Sequence, residues 1–263
     1  MTPIITIIFF IFGLIIGSFL NVVILRYGTQ RSFGGRSSCM TCQNKLRWYE
    51  LIPVFSFIAI GGRCLKCKSK ISAQYPLVEF VTGVIFMGLF LKFQDVFYAN
   101  TFIFTITMAF YCTIFSLLIV IAVYDLRHKI IPNTLVFFLA LLAFLGMFFF
   151  SGYGFNIHFP SLWEFLSGII MALPFAIIWL VSKGTWMGLG DAKLSLGLGW
   201  LLGLSRALSS LVVAFWSGAI IGLLLLLFSK KHGLKSEIPF APFLIFGAII
   251  AFLFELHLFP IGF

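Results

Sequence analysis

The chain is a succession of apolar runs separated by short polar stretches, and that pattern leaves few folds open to it. A hydrophobic stretch of roughly 20 residues is what an α-helix needs to cross a bilayer. Such stretches fall near 3–25, 77–94, 101–124, 130–150, 161–182, 190–204, 206–228 and 239–258. Of the 263 residues, 61% are hydrophobic and only 10% charged, with a mean hydropathy of +1.12. A soluble domain is nearer half apolar and a quarter charged. The expected fold class is therefore an all-α polytopic membrane protein of about eight transmembrane helices. The sixth run is the weak one. Fifteen residues at about 1.5 Å each reach only about 22 Å, short of a hydrocarbon core of about 30 Å.

Charge placement decides between seven spans and eight. The net charge of +10 would suit a nucleic-acid partner if the charges lay on one surface. They instead cluster between apolar runs, which excludes that partner and reads as membrane orientation. With the N-terminus outside, residues 26–75 lie in the cytoplasm and carry Arg26, Arg31, Arg36, Lys45, Arg47, Arg63, Lys66, Lys68 and Lys70. Eight spans add Arg127, Lys129, Lys183, Lys193, Lys230, Lys231 and Lys235 to that side, which makes sixteen of the eighteen basic residues. Only Lys92 and Arg206 stay near the outer face. Omitting the sixth span would send Lys230, Lys231 and Lys235 outside, so the positive-inside bias favours eight. The first span has no basic n-region and is followed by its positive charge, so it reads as a retained helix rather than a cleaved signal. Its Gly17, Ser18 and Asn21 share a helical face, as close packing with a cross-bundle hydrogen bond from Asn21 would require.

The one sizeable hydrophilic segment, 26–75, holds four of the five cysteines: Cys39-Met-Thr-Cys42 and Cys64-Leu-Lys-Cys67. Two such pairs at this spacing read as a tetrahedral zinc site. The flanks repeat as well. Each pair is followed three residues on by Lys (Lys45, Lys70) and four on by an aliphatic residue (Leu46, Ile71), as two similar knuckles on one metal would be. Gln43 and Lys68 stand directly after the pairs, where knuckles often carry Gly. Disulfides are the alternative, but structural disulfides are rare in the reducing cytoplasm. A bound zinc would supply folding energy to a loop too small for its own core. Cys112, inside the third span, reads as packing. The expected organisation is a first transmembrane helix over 1–25, a cytoplasmic zinc-binding loop over 26–75, and a bundle of about seven helices over 76–263.

Two of the eight acidic residues stand at span boundaries beside basic residues: Asp125 in Tyr124-Asp125-Leu126-Arg127, and Asp191 in Gly188-Leu189-Gly190-Asp191-Ala192-Lys193. An ionisable group near hydrocarbon is costly and marks function by default. Two carboxylates able to meet across a helix bundle suggest an aspartic-protease dyad that shares a proton. Flanking glycines would let a substrate strand approach the main chain beside Asp191. Two bland readings stand beside this one. Asp191 could be a helix N-cap, and Asp125 could pair with Arg127 or Lys129. Glu79, after Pro76, reads as a helix-start carboxylate, and Lys193 as a snorkelling side chain. His128, His158, His232 and His257 show no ligand spacing.

Taken in order along nearly the whole chain, these residues resemble the bacterial type IV prepilin peptidases, the leader peptidases of type IV pili and type II secretion. The matching segments are Gly17-Ser18-Phe19-Leu20-Asn21-Val22-Val23, the four-cysteine loop with Leu51-Ile52-Pro53-Val54-Phe55-Ser56 and Gly62-Arg63-Cys64, then Tyr75-Pro76-Leu77-Val78-Glu79, Asp125, Gly188-Leu189-Gly190-Asp191-Ala192-Lys193 and Ile238-Pro239-Phe240-Ala241-Pro242-Phe243-Leu244. Ala241 departs from a Gly common in the family. The resemblance implies a membrane aspartic endopeptidase of the bacterial cytoplasmic membrane, with Asp125 and Asp191 catalytic at the cytoplasmic face. It also implies prepilin or pseudopilin substrates cut after a glycine that ends a basic leader. It further implies S-adenosylmethionine-dependent N-methylation of the new N-terminus, the four-cysteine loop accompanying the methylating version. No glycine-rich Rossmann pattern is present, so methylation rests on the resemblance alone.

Three rivals are weighed against this reading. A presenilin-like intramembrane aspartic protease shares Tyr124-Asp125 and Gly188-Leu189-Gly190-Asp191 but cuts within the hydrocarbon and lacks the cysteine loop. A proton-coupled transporter would hold its carboxylates nearer mid-span and perhaps repeat its halves. An inactive zinc-loop scaffold would leave the Gly-x-Gly-Asp string unexplained. The sequence is silent on oligomeric state.

Overall fold

A computed structural model of the chain describes residues 2–29, 32, 34–151, 154–228 and 238–258. It divides into two compact units, 1–92 and 93–263. Arg31, Lys230, Lys231 and Lys235, which carry part of the charge argument, lie outside the described residues, as does His232.

The first unit contains α1 (Thr2–Arg26), a 3-10 turn at Trp48–Leu51, the short α2 (Phe55–Ala59) and α3 (Gln74–Lys92). Helices α1 and α3 run antiparallel. A Cβ on Gly13 would stand 2.7 Å from the Gly83 Cα, and one on Gly17 would stand 2.7 Å from the Glu79 Cα. Asn21 Nδ2 donates to the Tyr75 carbonyl at 3.0 Å. Residue numbers rise on one helix as they fall on the other. Small residues four apart let two backbones close on each other where lipid offers no hydrophobic drive. This is the packing and the cross-helix bond expected of Gly17 and Asn21. On its other face α1 presents Ile4, Ile7, Ile8, Ile11, Ile15 and Phe19 outward, as a helix apolar all round does in lipid.

The second unit contains α4 (Gln94–Ala99), α5 (Thr101–His128), α6 (Asn133–Phe149), a two-residue antiparallel hairpin (β1 Phe150–Ser151, β2 Gly154–Phe155), α7 (Leu162–Ser182), α8 (Leu189–Leu202), α9 (Leu204–Phe228) and α10 (Ala241–Leu253). Local chemistry sets the ends. Asn100 caps α5 by accepting from the Phe102 and Ile103 amides. Ser161 and Glu164 form a reciprocal capping box on α7. Lys129 and Lys183, both left-handed, stop α5 and α7. Helix α8 packs on α7 through glycine: a Cβ on Gly199 would sit 2.6 Å from the Gly168 Cα, and Ser167 Oγ donates to the Gly199 carbonyl at 2.9 Å. Its other side meets α6, with Gly197 against Ala140.

Each of the eight expected spans corresponds to a helix, and five of those helices are long and apolar enough to cross a bilayer. The other three, α6, α8 and α10, have 17, 14 and 13 residues. The boundaries differ from expectation in one informative place. Residues 130–132, expected to open the fourth span, are loop, because Lys129 closes α5 and Pro132 is the N-cap of α6. A residue before proline is pushed out of the helical region, which leaves Ile130 and Ile131 free to line a cavity.

Candidate functional sites

The cysteine segment builds two copies of one turn. The Cys39 amide donates to the Asn44 carbonyl and the Gln43 amide to the Cys39 carbonyl; the Cys64 amide donates to the Ser69 carbonyl and the Lys68 amide to the Cys64 carbonyl. Ser38 bridges Lys45 and Arg63 bridges Lys70 in the same way. Gln43 and Lys68 take φ of 55° and 58°, the left-handed positions where a knuckle ordinarily places Gly. The sequence repeat is thus a repeat of hydrogen bonding. It brings the Sγ atoms of Cys39, Cys42, Cys64 and Cys67 within 4.8 Å of one another, with Cys39 and Cys67 3.8 Å apart. A tetrahedral Zn–S bond of about 2.3 Å needs sulfurs about 3.8 Å apart, so this donor set fits one thiophilic metal ion. The amides of Cys42 and Thr41 hold the Cys39 thiol down to about 6. The Ser69 hydroxyl and amide lower Cys67. The Asn44 amide also acts to lower Cys42, yet burial and the neighbouring thiols leave it raised to about 11. Deprotonated together at this spacing, the four sulfurs would need a cation among them. All four are free thiols, and among the described residues no other His, Cys, Asp and Glu group forms such a cluster.

Asp125 and Asp191 line one cavity of about 550 Å³ in the second unit. Asp125 sits in the last turn of α5 and is buried; Asp191 sits in the first turn of α8 and is buried. They are close enough for their charges to act on each other. The Asp125 carboxylate accepts from the backbone N–H of Ala241, the first residue of α10. Asp191 Oδ1 is buried with no hydrogen-bond partner. Both bland readings fail here. The N-cap of α8 is Gly188, not Asp191, and among the described residues Asp125 makes no ion pair with Arg127 or Lys129. A buried carboxylate oxygen without a partner is costly and marks a place for a ligand or a proton.

The cavity walls come from three separated stretches: 125–133 at the α5–α6 turn, 184–193 from the loop after α7 into α8, and 238–240 before α10. Gly190 lets α8 start against Ile131, since a Cβ there would stand 2.8 Å from the Ile131 Cβ. Lys193 does not simply snorkel: its Nζ donates to Asn133 Oδ1 at 2.9 Å, joining the starts of α8 and α6. Asn133, Ile130, Ile131 and the exposed Trp186 carry no motif that would single them out in sequence. Glu79 is not a helix-start residue either. It lies six residues into α3, is buried, and accepts from the Val54 amide at 2.7 Å and from the Ser18 side chain. The three described histidines join no ligand cluster. His128 lies tilted against the Tyr124 ring, His158 meets the Asn156 carbonyl and His257 meets Ser205.

A helical membrane protein with two buried carboxylates on one cavity, and four cysteines that could hold a metal ion, has the makings of a membrane enzyme. Residues 11–93 match the family model described as the bacterial Peptidase A24 N-terminal domain, and residues 112–223 match the type IV leader peptidase family. The chain is 32% identical to a prepilin leader peptidase/N-methyltransferase of Bacillus subtilis, over 94% of this chain and 93% of that protein. Proteins of the same description from Myxococcus xanthus and Pseudomonas aeruginosa are 32% and 30% identical, over 89% and 92% of this chain and 67% and 87% of theirs. No solved structure matches it. The chain belongs to the prepilin leader peptidase/N-methyltransferase family, and it is an enzyme of that family.

Proposed function

We propose that the protein cleaves the leader from type IV prepilins or type II secretion pseudopilins, after a glycine, with Asp125 and Asp191 as the catalytic pair. The observation that carries this reading is the shared cavity, in which the two buried carboxylates face one space and Asp191 Oδ1 has no protein partner. The pair shares one proton, because like charges this close do not both ionise easily. One carboxylate takes a proton from a bound water as its oxygen adds to the scissile carbonyl carbon. The other, protonated, hydrogen-bonds the carbonyl oxygen and stabilises the resulting diol. Collapse of the diol breaks the C–N bond, and the proton passes to the leaving amine. The amine becomes the new N-terminus of the mature pilin.

The topology that suits this reaction has eight crossings, with residues 26–75 and both aspartates on the cytoplasmic side of the bacterial inner membrane. A prepilin, anchored by its apolar helix with its basic leader inside, presents its cleavage site at that depth. On this reading 1–25 is the first transmembrane helix, 26–75 a cytoplasmic loop in which Cys39, Cys42, Cys64 and Cys67 hold a structural zinc, and 76–263 the peptidase bundle. The relatives' description also supports a second activity, methylation of the new N-terminus. S-adenosylmethionine would supply an electrophilic methyl group for it. No set of described residues is assigned to that donor, so methylation rests on the family.

Cleavage of a prepilin in membranes, read by mass spectrometry, tests the peptidase reading. Asp125→Asn and Asp191→Asn keep size and polarity but cannot share the dyad proton. Each is expected to lower the rate by about 10²–10⁴-fold, the range of a lost general acid or base. Normal cleavage by either folded variant would remove that aspartate from the mechanism. A product 14 Da heavier when the donor is added would establish methylation.

A further inference from the structure

The stretch between the two knuckles, Trp48–Ile60, is the most apolar part of the cysteine segment, yet it does not bury its apolar side chains. Trp48, Phe55 and Ile58 are 78%, 68% and 69% exposed, and Leu51 and Ile52 are exposed as well. The zinc-type cluster does not use them, since the knuckle hydrogen bonds all fall outside this stretch. The stretch nevertheless has a defined local fold. Gly61 and Gly62, both at positive φ, end α2, and the Gly62 amide returns to the Phe57 carbonyl. Glu50 accepts from the Arg47 amide across the 3-10 turn.

A hydrogen bond ties the stretch to α3. The Val54 amide donates to Glu79, six residues into α3. Helix α3 has 19 residues, which at 1.5 Å per residue span about 28 Å, close to the hydrocarbon thickness of about 30 Å. Taken as a full crossing, α3 would put the hydrocarbon edge near its start at Gln74. Glu79 lies about 7.5 Å inside that edge, and Val54 is held beside it. Interfacial amphipathic segments bury their apolar faces about 5–10 Å into the headgroup and acyl boundary. The charges around the stretch fit the same placement. Lys45, Arg47, Arg63, Lys66, Lys68 and Lys70 are all exposed, and Glu50 is the only acidic residue between 26 and 75. Such a rim matches anionic lipid headgroups. Trp48 and Tyr49 supply the aromatic pair that sits at headgroup level.

We propose that Trp48–Ile60 is a membrane-interface anchor. It lies in the bilayer surface on the side where α1 ends and α3 begins, its apolar side chains enter the acyl boundary, and its basic rim meets anionic headgroups. The two knuckles are thereby fixed against the membrane surface and do not swing free on a tether. The occupant of the apolar face is lipid.

The test uses the full chain in vesicles of phosphatidylethanolamine and phosphatidylglycerol. A photo-crosslinking benzoylphenylalanine is placed at Trp48, Phe55 or Ile58, and at the exposed Thr41 on the first knuckle as control. Products are read by mass spectrometry, and metal content shows that each variant keeps its knuckles. Lipid adducts at two or more of the three positions, at about fivefold or more the yield at Thr41, are expected for side chains at the acyl boundary. Yields equal to the Thr41 control would overturn the proposal. So would crosslinks that go chiefly to another part of the chain, to a second copy or to added prepilin, since a protein would then cover this face. Because the three probes sit on two different elements, misfolding of one variant leaves the others to decide.

Discussion

The two units solve the problem of holding polar chemistry in a membrane protein in opposite ways. In the first, the reactive groups come from one short stretch of chain, and backbone hydrogen bonds within each knuckle set their geometry. In the second, the two carboxylates are 66 positions apart in sequence and meet only because α5, α8 and the start of α10 converge on one cavity. The first site is local, four thiols placed by one repeated turn so that they could hold a metal ion. The second is assembled, and glycine contacts between helices give it its shape. Damage to the two should therefore register differently: metal loss should unmake the knuckles and leave the cavity, whereas a helix-packing change should deform the cavity and leave the metal.

Cys64→Ser cuts deepest. Cys64 is the one buried thiol of the four, and structural zinc contributes roughly 10–16 kcal/mol in zinc-finger peptides at neutral pH. The variant is expected to lose its metal, measured by plasma mass spectrometry, and to become protease-sensitive between residues 39 and 70. Cleavage of prepilin should fall far less than in Asp191→Asn. If peptidase activity disappears along with the metal, the sites are not independent and the comparison fails. Acidification should act in the same direction, because ligand thiols must be deprotonated. Metal content is therefore expected to fall as pH falls, read by plasma mass spectrometry across a pH series.

Gly199→Ala is the converse case, with a smaller expected effect. A Cβ there would stand 2.6 Å from the Gly168 Cα and the same distance from the Ser167 carbonyl oxygen. Backbone atoms cannot step aside cheaply, so α8 must move off α7, at a cost of about 1–3 kcal/mol for overpacking. Because α8 carries Asp191, the expected result is a lower melting temperature and slower cleavage with full metal content. Cleavage at the unaltered rate would mean that the α7–α8 contact does not position the carboxylate.

The same contrast explains what could be read from the sequence. The knuckles were legible down to the repeat of Lys45–Leu46 and Lys70–Ile71, since a site made by one turn leaves its whole pattern in a short string. The eight apolar helices were legible because lipid forces hydrophobicity on every exposed face. The aspartates stood out by rarity and by the glycines beside Asp191, but their surroundings did not. Ile130 and Ile131 read as part of a span because hydropathy does not register that Lys129 ends α5 and Pro132 delays α6. Glu79 read as a helix-start residue because its partner, the Val54 amide, is a backbone group 25 positions away. A backbone donor leaves no mark in sequence. The link between Lys193 and Asn133 was equally invisible, being a contact of two ordinary polar residues 60 positions apart.

That link offers the finest test of an assembled site. Lys193→Met keeps the apolar stem and removes the ammonium, while Asn133→Ala removes the acceptor. An exposed hydrogen bond of this kind contributes about 1 kcal/mol, so each variant is expected to lower kcat/KM for prepilin by roughly fivefold. If the bond ties α6 to α8 at the cavity mouth, the double variant should be no worse than either single one, since the second change removes nothing further. Full additivity would instead mean that Lys193 and Asn133 act separately, with the ammonium engaging substrate directly. The α6 wall would then be held by apolar packing, Gly197 on Ala140 and Trp200 on Phe144 among it, and the cavity would depend less on long-range polar contacts than the contrast between the two units implies.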